Sequence, residues 1–197
     1  MKFNSPSPYF TDEHRMLRDQ LRRFVESEIV PNGPAWEEAG MVPRPVLRQM
    51  GALGFMGLRH PEAYGGSGLD TLASIVLGEE LGRSTFGGVS ATVLVNTDMA
   101  SPHLTRFGTK PQLDRYMRKI INGETITAVA VTEPGAGSDV AGLRTSARRD
   151  GNHFVLNGTK MFITNGVHAD LYFVAARTGT ARHAISMFIV EKGTPGF

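Results

Sequence analysis

No cysteine occurs among the 197 residues, which excludes disulfides, thiolate catalysis and cysteine-ligated metal sites. No metal site of another kind is expected. No run of about 18 apolar residues occurs, so no segment reads as a membrane span. Charge of one sign is nowhere concentrated. Acidic and basic residues alternate, as in Asp12-Glu13-His14-Arg15 and Arg22-Arg23-Phe24-Val25-Glu26, and the net charge is +2. Without a basic stripe, a nucleic-acid partner is not expected. The Rossmann fingerprint is missing, because Val140 stands where the third glycine should follow Gly135 and Gly137. The P-loop is missing too, since Gly158-Thr159-Lys160 has the wrong order. Tryptophan is scarce, and Trp36, the only one, is read as core. The opening Met1-Lys2-Phe3-Asn4-Ser5-Pro6 has neither the apolar core of a signal peptide nor an Arg/Ser-rich transit character, so the expected location is cytoplasmic. Asn157-Gly158-Thr159 matches a glycosylation acceptor but reads as a turn in that setting.

What is present is a chain 41% apolar, enough for a sizeable core, whose pattern changes period once. The first part reads as helices. Thr11 caps one, with Asp12 and Glu13 in its first turn and Leu17, Leu21, Phe24 and Val25 at helical spacing. Pro31 and Gly33 are expected to stop it, with a short second helix at Trp36. Another helix covers 45–50. A Gly-rich loop, Tyr64-Gly65-Gly66-Ser67-Gly68, follows. Asp70 caps a helix that buries Leu72, Ile75, Val76 and Leu81, while Glu79 and Glu80 are expected to face water. A helix over 89–106 carries Asn96, Thr97, Asp98 and His103, either satisfied by neighbours or lining a pocket, and Pro102 should bend it. Thr109 opens the last helix and Gly123 closes it.

After Glu124 the period becomes two, which gives an expected division into a helical domain, 1–124, and a β domain, 125–197. Six strands are predicted: 125–132, 144–149, 152–156, 159–164, 171–177 and 184–190. Asp150-Gly151 and Asn157-Gly158 are the hairpin signals between them. Glu191 to Phe197 reads as a turn leading to a further strand, so the β domain is expected to be incomplete or to be finished by another chain.

The chemistry concentrates in Ala130-Val131-Thr132-Glu133-Pro134-Gly135-Ala136-Gly137-Ser138-Asp139. An apolar strand there ends in a turn of small residues. Gly135 and Gly137 let backbone approach a ligand, while Thr132 and Ser138 add hydroxyls. On residue types alone, a plain turn between two strands remains open.

A helical first half followed by this stretch resembles the acyl-coenzyme A dehydrogenase family. Ala130-Val131-Thr132-Glu133, Ala136-Gly137-Ser138-Asp139 and Gly142 match its first signature. Asn157-Gly158-Thr159-Lys160-Met161-Phe162-Ile163-Thr164-Asn165-Gly166 is similar to its second flavin-contacting stretch. Tyr64 to Gly68 and Phe107-Gly108-Thr109-Lys110-Pro111-Gln112 also agree. The resemblance implies an α+β fold, a helical domain followed by a truncated β-barrel or β-sandwich domain. It implies an oxidoreductase of fatty-acid metabolism, with FAD as cofactor and an acyl-CoA as substrate. A carboxylate would remove the α proton while flavin N5 takes the β hydride. The implied cofactor contacts are Val129, Val131, Thr132, Gly137, Ser138, Phe162, Ile163 and Thr164, and Ser138 would also meet the pantetheine arm. Electron-transfer flavoprotein is the implied acceptor, and a homo-oligomer, tetramer or dimer, or a hetero-oligomer, the implied assembly. Many members carry Trp where this chain has Phe162. The family's C-terminal helical domain, which supplies the catalytic Glu, has no counterpart here, so no residue is assigned as base and this chain alone is expected to be inactive. A non-catalytic partner subunit, an acyl-CoA oxidase or a flavin monooxygenase on the same fold are the alternatives.

Overall fold

The computed structural model describes residues 8–197; the opening stretch read for targeting features lies outside the described residues. Helices come first: α1 (Asp12–Phe24), α2 (Val30–Glu38), α3 (Arg44–Ala52), α4 (Thr71–Arg83), α5 (Gly87–Leu94), α6 (Ser101–Phe107) and α7 (Lys110–Ile121). Thr11 and Thr109 close capping boxes and the Asp70 carboxylate accepts from the Leu72 and Ala73 N–H groups, as their positions suggested.

Pro31 and Gly33 do not stop the first helix. A π turn, Val25–Ile29, joins α1 to α2, and the Val30 N–H bonds back to the Val25 carbonyl. The wider turn absorbs the register change just before Pro31, whose missing donor then falls at a helix start where it costs little. The same device recurs between α5 and α6. There the π turn Val95–Ala100 ends with the Ser101 N–H on the Asn96 carbonyl, one residue before Pro102. Gly33 is a contact residue: a Cβ there would sit 2.2 Å from the Phe86 ring.

Helices α1, α3, α4 and α5 enclose one core, with Leu21, Ile29, Met50, Met56, Leu77 and Leu81 fully buried. Two sequence expectations fail on α4. Its inner face carries Ala73, Val76, Leu77 and Leu81, while Ile75 is exposed. Glu80 does not face water. It is 1% exposed and held by Arg22 at 2.9 and 3.1 Å, Arg18 at 3.1 Å and Arg83 at 3.3 Å. Glu79 is half-exposed and pairs with Arg18 at 2.6 Å. His60 is also buried, its Nε2 2.8 Å from Ser101 Oγ and its Nδ1 2.8 Å from Thr105 Oγ1. Ser101 Oγ–H donates to the Asn96 carbonyl, so Nε2 is the donor to Ser101. Burial draws the His60 pKa down to about 4.

Five strands follow: β1 (Thr127–Ala130), β2 (Ser146–Asp150), β3 (His153–Asn157), β4 (Leu171–Arg177) and β5 (Ile185–Glu191). β4 is the centre. β5 runs antiparallel along one edge; β1 lies parallel against the other, from Thr127↔Leu171 to Ala130↔Val174, and β2 takes over at Arg177. β2 and β3 form the expected hairpin, with Asp150 paired to His153 and the turn made by Gly151-Asn152, Gly151 at φ 58°. The sheet is mixed and open, not a closed barrel or a sandwich. Leu171 and Phe173 pack on Leu104, Met117 and Ile120 of the helices; Tyr172 and Val174 line the opposite face with Ala128 and Ala130. The predicted strand at 159–164 is absent. No hairpin forms at Asn157-Gly158; Gly158 is instead pressed on Thr145, where a Cβ would lie 2.3 Å from its hydroxyl. No helix among the described residues is long and apolar enough to cross a membrane.

Candidate functional site

Among the described residues strand β1 pairs with a strand on one edge only, and its register fixes which groups face the other. The Leu171 N–H bonds to the Ile126 carbonyl, so even-numbered residues of β1 address β4 and odd-numbered ones turn to the open edge. Thr127 is the first of these. Asn96 Oδ1 accepts from its N–H at 2.7 Å, and Asn165 Nδ2 donates to its carbonyl at 3.0 Å. Val131 carries the same phase one residue past the strand, and Lys160 Nζ donates to its carbonyl at 2.8 Å. Between these two capped positions lies Val129, with its N–H and C=O turned to the open edge and its side chain packed on the helical side.

Two of the three capping residues, Lys160 and Asn165, belong to one loop, 159–166, that runs along this edge. The Met161 N–H donates to the Thr132 carbonyl at 2.9 Å, and Asn165 Nδ2 also donates to the Thr92 carbonyl at 3.1 Å. Two loop residues hold left-handed backbone, Phe162 at φ 56° and Asn165 at φ 63°. Asparagine tolerates that region; a bulky aromatic does not do so freely. Phe162 nevertheless exposes 88% of its surface, while its neighbour Ile163 is anchored in the sheet face. A strained, solvent-facing aromatic beside an open strand edge is a feature that packing does not explain.

The turn after β1 is fastened from within. Glu133 is buried; its carboxylate accepts from the Arg144 N–H at 2.7 Å, the Thr145 N–H at 2.9 Å and Lys160 Nζ at 2.8 Å. Burial alone would push its carboxyl up, but these donors together hold it at about 2. Backbone bonds between Glu133 and Ala136 in both directions close the turn. Gly137 and Ser138 stand exposed on it.

The structure therefore brings Val129, Val131, Thr132, Phe162 and Ile163 to one edge. Gly137 and Ser138 lie farther along the turn. Thr164 faces a separate cleft of about 500 Å³ against Trp36, Met41 and Thr92. A larger apolar basin, about 640 Å³, lies on the sheet face between Leu156, Phe162, Tyr172 and Phe197, with Lys160 in its wall. Lys160, Asn165 and Asn96 were not singled out as site residues from sequence. Asn96, a polar residue on an apolar helix, expected either to be satisfied by a neighbour or to line a pocket, accepts from the Thr127 N–H and hydroxyl through its buried Oδ1. Asp98 and His103, its companions on that helix, are used elsewhere: Asp98 lies 3.5 Å from Arg59, and His103 stacks on Phe173. Among the described residues no group of three His, Asp or Glu side chains could hold a metal ion.

Two family models match the chain: "Acyl-CoA dehydrogenase, N-terminal domain" over residues 11–124 and "Acyl-CoA dehydrogenase, middle domain" over residues 128–197. The long-chain specific acyl-CoA dehydrogenase of Mus musculus mitochondria is 40% identical over 95% of this chain and 44% of its own length. The crystal structure of an acyl-CoA dehydrogenase from Geobacillus kaustophilus superposes with a TM-score of 0.91 at 40% identity, covering 96% of this chain and 50% of that one. A glutaryl-CoA dehydrogenase from Mycobacterium smegmatis, solved in complex with FADH2, gives 0.89 at 33% identity, over 95% of this chain and 47% of that one. The chain thus spans about half the length of the relatives it matches.

Proposed function

Because this chain belongs to the acyl-CoA dehydrogenase family, we propose that its β1 edge and 159–166 loop hold the reactive ring of FAD, within a protein that desaturates an acyl-CoA thioester between its α and β carbons. The observation that carries the reading is the outward-facing backbone of Val129, which has no partner on that edge among the described residues. It sits between neighbours capped by Asn165 and Lys160 and beside the exposed ring of Phe162. A flavin's pyrimidine edge alternates acceptors with one N–H donor. An edge offering the Val129 C=O and adjacent outward N–H groups complements it, as one strand complements another. Phe162 adds an aromatic plane and Thr132 a hydroxyl. Ser138, exposed on the turn, is placed to meet the substrate's pantetheine arm. Thr164, which faces the separate cleft against Trp36, Met41 and Thr92, would reach the ring only from the loop's far side.

FAD, when bound, supplies a two-electron acceptor. This chain's residues orient that group and shield one side of it from water. They do not supply the base: Glu133 is consumed by Lys160 and two backbone donors, and Glu80 by three arginines. We divide the chain into a helical domain, 1–124, and a flavin-binding domain, 125–197. An electron-transfer flavoprotein as acceptor and a homo-oligomeric assembly complete the proposal.

Titrating FAD with the purified chain tests it through the visible flavin band and flavin fluorescence. Saturable perturbation is expected, and Phe162→Ala should weaken binding about three- to tenfold, the worth of one aromatic stack of ~0.5–1.5 kcal/mol. Binding with Phe162→Ala indistinguishable from the unmodified chain would remove Phe162 from the site; no perturbation by the unmodified chain would remove the reading.

A further inference from the structure

Lys160 and Glu133 form a buried ion pair, their side chains 11% and 6% exposed. The pair has a fixed direction. Lys160 Nζ sits on the edge, 2.8 Å from the Val131 carbonyl, and also in the wall of the apolar basin. The Glu133 carboxylate lies behind it, tied to the Arg144 and Thr145 N–H groups at 2.7 and 2.9 Å. The positive end of this dipole therefore sits on the Val131 carbonyl at the edge, and the negative end lies towards the turn. A structural staple would need only the pairing. It would not need the ammonium to be the member seated on the strand edge.

We infer that Lys160 is a positioning and tuning residue, whose ammonium favours the reduced over the oxidised flavin at this edge; this rests on the flavin reading above. Two-electron reduction puts negative charge into the pyrimidine part of the ring, and a fixed cation at its hydrogen-bonding edge stabilises that charge. In a water-poor setting a unit charge several ångström away shifts such a balance by roughly tenfold. Glu133 opposes it and sets how much of the field reaches the ligand.

The test compares affinities for two probes, oxidised FAD and dithionite-reduced FAD, titrated anaerobically. The quantity is the ratio of the dissociation constant for oxidised FAD to that for reduced FAD. Lys160→Met is expected to lower it about tenfold, equivalent to about 30 mV for a two-electron couple. Glu133→Gln keeps the ammonium on the Val131 carbonyl but removes the opposing charge, so the ratio should rise. The double variant, free of a buried unpaired charge, should fall between Lys160→Met and the unmodified chain. Lys160→Arg should restore most of the ratio. A staple alone would move Lys160→Met and Glu133→Gln in the same direction, and that outcome, or an unchanged ratio in folded variants, overturns the inference. If the unmodified chain binds neither form, the flavin reading falls and this falls with it. If it binds both and the order of variants is absent, only this inference falls.

Discussion

Replacing Glu80 by alanine is expected to lower the free energy of unfolding by about 3–5 kcal/mol, the usual cost of stripping one partner from a buried charge cluster. Three guanidiniums converge on this carboxylate from α1 and α4. Its loss leaves their charges facing one another at the seam where the two helices meet. Burial of Glu80 at 1% exposure means that water cannot take its place without opening the seam. Glu79, one residue away and half in solvent, is the internal control. Glu79→Ala should cost no more than about 1 kcal/mol, as exposed pairs do. Urea unfolding of both variants measures the difference, read as a change in midpoint at constant slope. Equal midpoints for the two would show that Glu80 is not the clamp described here.

The second large effect is loss of stability in acid, in two stages with a stated sign. The folded pKa of His60 lies at about 4, below its ordinary 6.5. Between those values the unfolded chain holds one more proton than the folded one, so stability falls as pH falls. The full loss amounts to about 3 kcal/mol, at 1.36 kcal/mol for each tenfold difference in proton affinity. Glu133 adds a lower stage. Its carboxyl is held at about 2 against an ordinary 4.5, so its contribution is present above pH 4.5 and is lost as pH drops towards 2. Chemical denaturation across the range should show a limb beginning near neutrality. His60→Gln keeps polar contacts with Ser101 and Thr105 and should flatten the upper limb while sparing the lower one. A profile unchanged by His60→Gln would place the upper limb elsewhere.

Local chemistry made much of this fold legible. Thr11, Asp70 and Thr109 open helices where their side chains said they would, because a cap needs only partners within three residues. The Asp150-Gly151 signal marks its hairpin for the same reason, the turn itself falling on Gly151-Asn152. The failures share an opposite cause. Pro31 looks like a break, yet a π turn just before it carries the chain on into the next helix, and a second such turn precedes Pro102. Met161-Phe162-Ile163 alternates like a strand but is pulled into a loop by Lys160 and Asn165, which reach back some 29 and 38 residues to Val131 and Thr127. Glu80 looked solvated because its partners on α1 lie 58 and 62 positions away.

The candidate site divides along the same line. The signature after β1 and the stretch around Phe162 were visible as motifs. That they clasp one another, leaving a gap at Val129, required the register of β1 against β4 and the side chains of Lys160 and Asn165. No periodicity announces a lysine whose partner is a carbonyl. The left-handed backbone of Phe162 was equally hidden, since an aromatic residue gives no sign of a positive φ.

The most direct test is to watch the edge itself. In a two-dimensional amide spectrum of the isotope-labelled chain, addition of FAD should shift the Val129, Val131 and Phe162 amides. Adenosine diphosphate alone, which lacks the isoalloxazine ring, should leave them unmoved. Shifts elsewhere on the chain with these three amides silent would contradict the account.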